Sequence, residues 1–228
     1  KVKDATGVFK DLLYQGNTLQ RTGIPLCFPY FGQREGQSGK HGFGRDSLWR
    51  LVATDESCVK LHLTHEEISE LAQKAYPYAF SAEVQLTAGK DGSLAYSLQV
   101  KNTGEEPLPL SPGLHPYWNI PHAEKKEIVI PMLKDFDAKQ IDWDTNPPDT
   151  VYPFADSSQI LLPNRTVTVY DLSHPKTIEH LVIWSQSPDK SDYEYVCIEP
   201  VTRTSEEETL FVDPGATWKM QIQFTASI

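Results

Sequence analysis

Two alternating runs, Tyr78–Thr87 (YAFSAEVQLT) and Leu94–Lys101 (LAYSLQVK), flank Gly89-Lys90-Asp91-Gly92. Apolar and polar residues trade places along each run, the period of a strand with one buried face. The glycine-flanked spacer is a turn signal, so the pair predicts a β-hairpin. The same pattern returns at Val59–Leu63, Lys126–Pro131, Gln159–Leu162, Thr166–Asp171, His180–Ser185, Tyr195–Pro200, Leu210–Val212 and Thr217–Ala226. Proline, glycine or aspartate separates the runs. Short strands at this spacing fold as a sandwich or barrel, and the expected class is all-β, mainly antiparallel. One stretch departs from the pattern. Thr64-His65-Glu66-Glu67 fits a capping box, and Ile68, Leu71, Ala72 and Ala75 follow at helical spacing before Pro77. One short helix is expected there. No linker, repeat or low-complexity tract interrupts residues 1–228, which read as a single domain. Thr22–His41 and Leu133–Phe154 read as long irregular stretches, a common place for function in a compact β domain.

Composition narrows the function classes. Net charge is −10, with no basic stripe to replace phosphate counterions, so nucleic acid and anionic membranes are not expected partners. No apolar run approaches the roughly 20 residues of a membrane span. The chain begins at Lys1 with neither methionine nor a signal-peptide pattern, and its natural start is expected upstream. Cys27, Cys58 and Cys197 are odd in number, and no C-x-x-C occurs. Reduced, mostly buried thiols and a cytoplasmic location are the expectation. The histidines are scattered without metal-ligand spacing, so no metal is expected. Neither a P-loop nor a G-x-S-x-G run is present.

Three segments and one histidine stand apart: Arg21–Gln33 (RTGIPLCFPYFGQ), His41–Trp49 (HGFGRDSLW), Val196–Pro200 (VCIEP), and His115 within Ser111–Pro121 (SPGLHPYWNIP). Glu199 ends an apolar strand-like run. Loss of hydration there raises a carboxyl pKa toward the range a general base needs. The alternative is a strand-end carboxylate facing solvent or an arginine. His115 lies between Pro112-Gly113 and Pro116, which stiffen the backbone around an imidazole. It reads as a positioned proton donor or as a satisfied core histidine. His41 and Arg45 frame Gly42 and Gly44, whose freedom suits close approach to a ligand. Arg45 offers a planar fork for hydroxyl or phosphate oxygens, or pairs with a surface acid such as Asp46. Arg21 is a loop cation open to the same two readings.

Taken together these segments resemble the aldose 1-epimerase superfamily, closest to its hexose-6-phosphate 1-epimerase branch. That branch carries R-G-G-I-P-x-C-F-P-x-F-G, H-G-F-A-R with a tryptophan soon after, L-H-x-Y-[FW], and C-x-E-P. This chain has Arg21-Thr22-Gly23-Ile24-Pro25-Leu26-Cys27-Phe28-Pro29-Tyr30-Phe31-Gly32, then His41-Gly42-Phe43-Gly44-Arg45 with Trp49. Leu114-His115-Pro116-Tyr117-Trp118 and Cys197-Ile198-Glu199-Pro200 follow in the same order. Thr22 and Gly44 depart from the pattern. Pro148-Asp149-Thr150-Val151-Tyr152 matches a T-D-R-[IV]-Y-like run without its arginine, and members of the family usually begin with further N-terminal strands.

The resemblance implies a β-supersandwich of the galactose mutarotase type with a sugar cleft and no cofactor. It implies Glu199 as base at the anomeric hydroxyl and His115 as acid at the ring oxygen. Arg21, His41, Arg45 and Asp149 would bind substrate, with Phe28, Tyr30, Phe43, Tyr117 and Trp118 as candidate apolar faces for the sugar. The implied activity is interconversion of the α and β anomers of a hexose 6-phosphate by a monomer. The alternatives are a mutarotase of a free aldose and a non-catalytic carbohydrate-binding protein on the same scaffold.

Overall fold

A computed structural model of the chain describes residues 2–3, 9–17, 21–36, 39–190 and 192–227. The hairpin forms as its alternation requires. Phe80–Ala88 pairs with Leu94–Asn102 from Phe80↔Asn102 to Ala88↔Leu94, and Gly92 takes a positive φ in the turn. Phe80, Ala82 and Val84 are buried on one side, Tyr96, Leu98 and Val100 on the matching side of the partner. This pair is the middle of a seven-stranded antiparallel sheet. Its order is Ser157–Leu162, Arg165–Asp171, Thr217–Ser227, Leu94–Asn102, Phe80–Ala88, Cys58–Thr64 and Arg50–Thr54.

A six-stranded sheet faces the same core. Its path runs Asp149–Pro153, His180–Trp184, Tyr195–Val201, Gly113–Leu114 and Leu26–Cys27, and Tyr117–Asn119 also pairs with Tyr195–Val201. Every residue of Tyr195–Val201 is buried, because this strand is covered on both faces. Val196 and Ile198 point into the main core with Leu114, Leu181 and Ile183 of their own sheet, and with Leu98, Val100, Met220 and Ile222 of the other. At about 1.5–3 kcal/mol for each large apolar side chain, this shared layer joins the two sheets. The opposite face of Tyr195–Val201 carries Tyr195, Cys197, Glu199 and Val201. Tyr195 and Cys197 belong to one small cluster and Val201 to another, apart from the main core.

Several sequence expectations need correction. The capping box forms, with Glu67 Oε2 accepting the Thr64 N–H at 2.8 Å, but it closes only the 3₁₀ turn His65–Glu67. Ile68 is extended, and Ser69 caps a separate α-helix, Glu70–Ala75, by accepting from the Ala72 N–H. A second competent N-cap divides what periodicity reads as one helix. Lys126–Pro131, read as a strand, begins inside the 3₁₀ segment His122–Glu127; of the rest, Val129 makes an isolated bridge to Leu161. Within the stretch Leu133–Phe154, Asp149–Pro153 is an edge strand. Arg50–Thr54, Leu108–Leu110, Gly113–Leu114 and Tyr117–Asn119 are strands that alternation did not reveal. The last three are too short or too proline-rich to show a period.

Candidate active site

Two pairings set the centre. Gly113 stands opposite Val201, and Tyr117 stands opposite Cys197. Three residues lie between the two positions on each strand, so the midpoints His115 and Glu199 face each other across the ladder. Cross-strand neighbours on one face bring their side chains into contact. His115 Nε2 lies 3.4 Å from Glu199 Oε1, with the residues 5% and 1% exposed. Pro116 supplies no N–H and interrupts the ladder. The far edge of this segment is held instead by His115 N–H to Pro25 O at 2.9 Å and Tyr117 N–H to Gly23 O at 3.0 Å. The stiffness of Ser111–Pro121 thus fixes an imidazole against the early loop.

That loop returns through Gly42 and Gly44. The Phe28 carbonyl accepts from both Phe43 N–H and Gly44 N–H at 2.8 Å. A Cβ on Gly42 would lie 2.3 Å from Phe28 O, and one on Gly44 would lie 2.7 Å from Phe28 Cβ. His41 takes φ 71°, rare for a residue with a side chain. It is held by donating its N–H to Gly32 O at 2.6 Å and by accepting the Gly32 N–H at Nδ1, 3.1 Å. A neutral ring accepting at Nδ1 carries its proton on Nε2 and is a hydrogen-bond donor there. Burial, with Arg45 and Lys40 nearby, lowers the His41 pKa to about 3, so the ring is neutral at physiological pH.

The side chains enclose a cavity of about 300 Å³, at the lower end of the range for small-ligand pockets. All six residues expected from the sequence line it: Arg21, His41, Arg45, His115, Asp149 and Glu199. Asp149 reaches it from the edge strand, opposite Trp184. Of the candidate aromatics, only Tyr117 lines the cavity; Phe28, Tyr30, Phe43 and Trp118 belong to the main core. Trp184 and Phe31 line it instead, along with Lys40, which sequence reading passed over. The His115 ring stacks on Tyr117, centroids 4.8 Å apart and 15° between planes, and meets His41 edge-on at 5.1 Å.

Burial moves both central groups toward neutrality. It raises the Glu199 pKa well above the ordinary carboxylate value; Asp149 adds to the rise, and Lys40 and Arg45 oppose it. It lowers the His115 pKa well below that of a free imidazole, with His41 and Arg45 adding to the effect. The pair therefore keeps one proton between its two partners over a wide pH range. Glu199 Oε2 and His115 Nδ1 are buried without a hydrogen-bond partner. A carboxyl and an imidazole 3.4 Å apart in a pocket that Arg21, Lys40, His41, Arg45 and Asp149 also line can take a proton from one atom of a small ligand and return it to another.

Residues 15–225 match the aldose 1-epimerase family. The chain belongs to that family. It is accordingly an epimerase, an enzyme rather than a bare β scaffold. The β-supersandwich expected from the resemblance is the observed fold. A Salmonella typhimurium protein named "Putative glucose-6-phosphate 1-epimerase" is 26% identical over 218 residues, 86% of this chain and 71% of the relative. An Escherichia coli K12 protein of the same name is 29% identical over 110 residues, 47% of this chain and 35% of the relative. Two crystal structures share the fold. A galactose mutarotase related enzyme from Lactobacillus acidophilus has a TM-score of 0.70 at 20% identity, covering 91% of this chain and 83% of its own. A galactose mutarotase-like protein from Clostridium acetobutylicum has a TM-score of 0.71 at 18% identity, covering 92% and 81%. Among the described residues, no helix is long and apolar enough to cross a membrane.

Proposed function

We propose that this chain interconverts the α and β anomers of a hexose 6-phosphate. The observation that carries the reading is the His115–Glu199 pair, 3.4 Å apart at the floor of a cavity that Arg21, Lys40 and Arg45 also line. In the reactive form the shared proton sits on His115. Glu199 takes the proton from the anomeric O1–H, the O1–H electrons form the C1=O bond, and the C1–O5 bond breaks. O5 takes its proton from His115. Rotation about C1–C2 presents the other carbonyl face, and reclosure reverses both transfers. Each partner contributes about 10²–10⁴-fold as a general acid or base.

The remaining residues bind. His41 donates from Nε2 to a ring oxygen, and Asp149 accepts from a hydroxyl. Three cations in a chain of net charge −10 concentrate positive charge where a phosphate dianion would lie. The three free cysteines, two of them buried, fit a reducing, cytoplasmic setting. NMR exchange rates with glucose, galactose and their 6-phosphates test the reading. The expected result is faster anomer exchange with a 6-phosphate than with its parent sugar. Equal rates would make the chain a mutarotase of free aldoses, and binding without exchange would make it a carbohydrate-binding protein.

A further inference from the structure

Cys197 is buried beside the pair, and ring opening has no use for a thiol. It lies two residues before Glu199, and therefore on the same face of Tyr195–Val201, while His115 sits across the ladder from Glu199. The imidazole, thiol and carboxylate ligand atoms all lie within 4.8 Å of one another. Spacing along the chain hides this trio, because it is assembled from two strands. Two of its polar atoms, His115 Nδ1 and Glu199 Oε2, are buried without a hydrogen-bond partner. Turning either side chain toward Sγ gives up one polar contact, the 3.4 Å approach of His115 Nε2 to Glu199 Oε1.

We propose that His115, Cys197 and Glu199 form a binding site for a thiophilic divalent cation of the Zn²⁺ or Cd²⁺ class, and that its occupation switches the sugar reaction off. Nitrogen, sulfur and oxygen ligands are the set that Zn²⁺ takes, with three protein ligands leaving a fourth position open. Bonds of about 2.0–2.3 Å need ligand atoms about 3.5 Å apart, a contraction of up to about 1.3 Å from the present limit of 4.8 Å. Here the fourth position would face the cavity lined by His115 and Glu199. Thiolate, carboxylate and a dication sum to zero charge, which suits a dry pocket floor. On binding, the Sγ–H proton and the proton shared by His115 and Glu199 both pass to water as the bonds to the metal form, and no electron is transferred. The cation occupies the lone pairs that ring opening needs, so the site and the acid–base pair exclude each other.

Titration with Cd²⁺ tests the site by the ultraviolet charge-transfer band of a cadmium–thiolate bond. Cys58→Ser serves as the parent, because Cys58 is the half-exposed thiol. The parent should develop the band at one equivalent, and Zn²⁺ should displace Cd²⁺. Cys197→Ala and His115→Gln, added singly, should each weaken Cd²⁺ binding by more than about 100-fold, whether or not either variant is active. Saturating Zn²⁺ should slow anomer exchange by at least about tenfold in the parent, with recovery on adding EDTA. No band in the parent, or a band that survives both substitutions, overturns the proposal. A band in a protein that exchanges no sugar anomer would instead leave the site standing and remove the functional reading.

Discussion

Glu199 and His115 are placed where hydration is lost, and this shapes their titration. His115 takes up a second proton for the pair only below the ordinary imidazole pKa, because burial lowers it. Glu199 gives up the last proton only above the ordinary carboxylate pKa, because burial raises it. The one-proton form lies between these limits. The profile of kcat/KM against pH should therefore have an acid limb below the ordinary histidine value of 6.5. An acid limb at or above that value would remove His115 from the exchanging pair. Glu199→Gln should lower kcat by about 10²–10⁴-fold while sugar binding persists, read by NMR exchange beside a binding titration. Both residues were legible in the sequence because costly neighbours mark them: a carboxylate ending an apolar strand, and an imidazole flanked by prolines. Lys40 and Trp184 were not. A lysine in a polar stretch reads as an ordinary surface cation, and Trp184 lies in a run, His180–Ser185, whose period names a strand but not which face meets a cavity.

At the scale of elements, the early loop is built around one carbonyl. Phe28 O receives two N–H groups, and no room is left beside it for a side chain at position 42. Gly42 also has φ 68°. Gly42→Ala should destabilise the protein by about 1–3 kcal/mol, measured by urea denaturation. Because Gly42 follows His41, the same substitution should also raise KM for the sugar more than it lowers kcat. Unchanged stability and KM would show that the loop tolerates a Cβ and that the close approach is not needed. The pair of glycines was visible in the sequence; the contact that requires them was not, since it spans two segments joined by no period. Long alternating strands were legible for the opposite reason: each shows its buried face in its own composition. Gly113–Leu114 and Tyr117–Asn119 position His115, yet each is short and Pro116 stands between them, so their pairing emerges only in the fold.

For the molecule as a whole, one buried charge links distant segments to global stability. Lys125 is fully buried and donates from Nζ to Ser185 Oγ at 2.8 Å and to Tyr193 O at 2.6 Å, with the ammonium 5.8 Å from the Trp143 ring centroid. It therefore ties the turn His122–Glu127 to the stretch after Trp184 and to the entry of Tyr195–Val201. Burial lowers its pKa from 10.5 to about 8, with Glu194 opposing the shift. The folded protein therefore releases this proton near pH 8, while the unfolded chain keeps it to about 10.5. Between those values the unfolded state binds more protons, so this group makes stability rise with pH. Below pH 8 both states are protonated and the full desolvation cost is present. Lys125→Met removes that dependence. Urea denaturation of both proteins at pH 7, 9 and 10 should show the natural protein gaining on the variant as pH increases. A difference in unfolding free energy that stays constant across that series would mean Lys125 keeps an ordinary ammonium in the fold, and that its two hydrogen bonds and the Trp143 face fully replace its hydration.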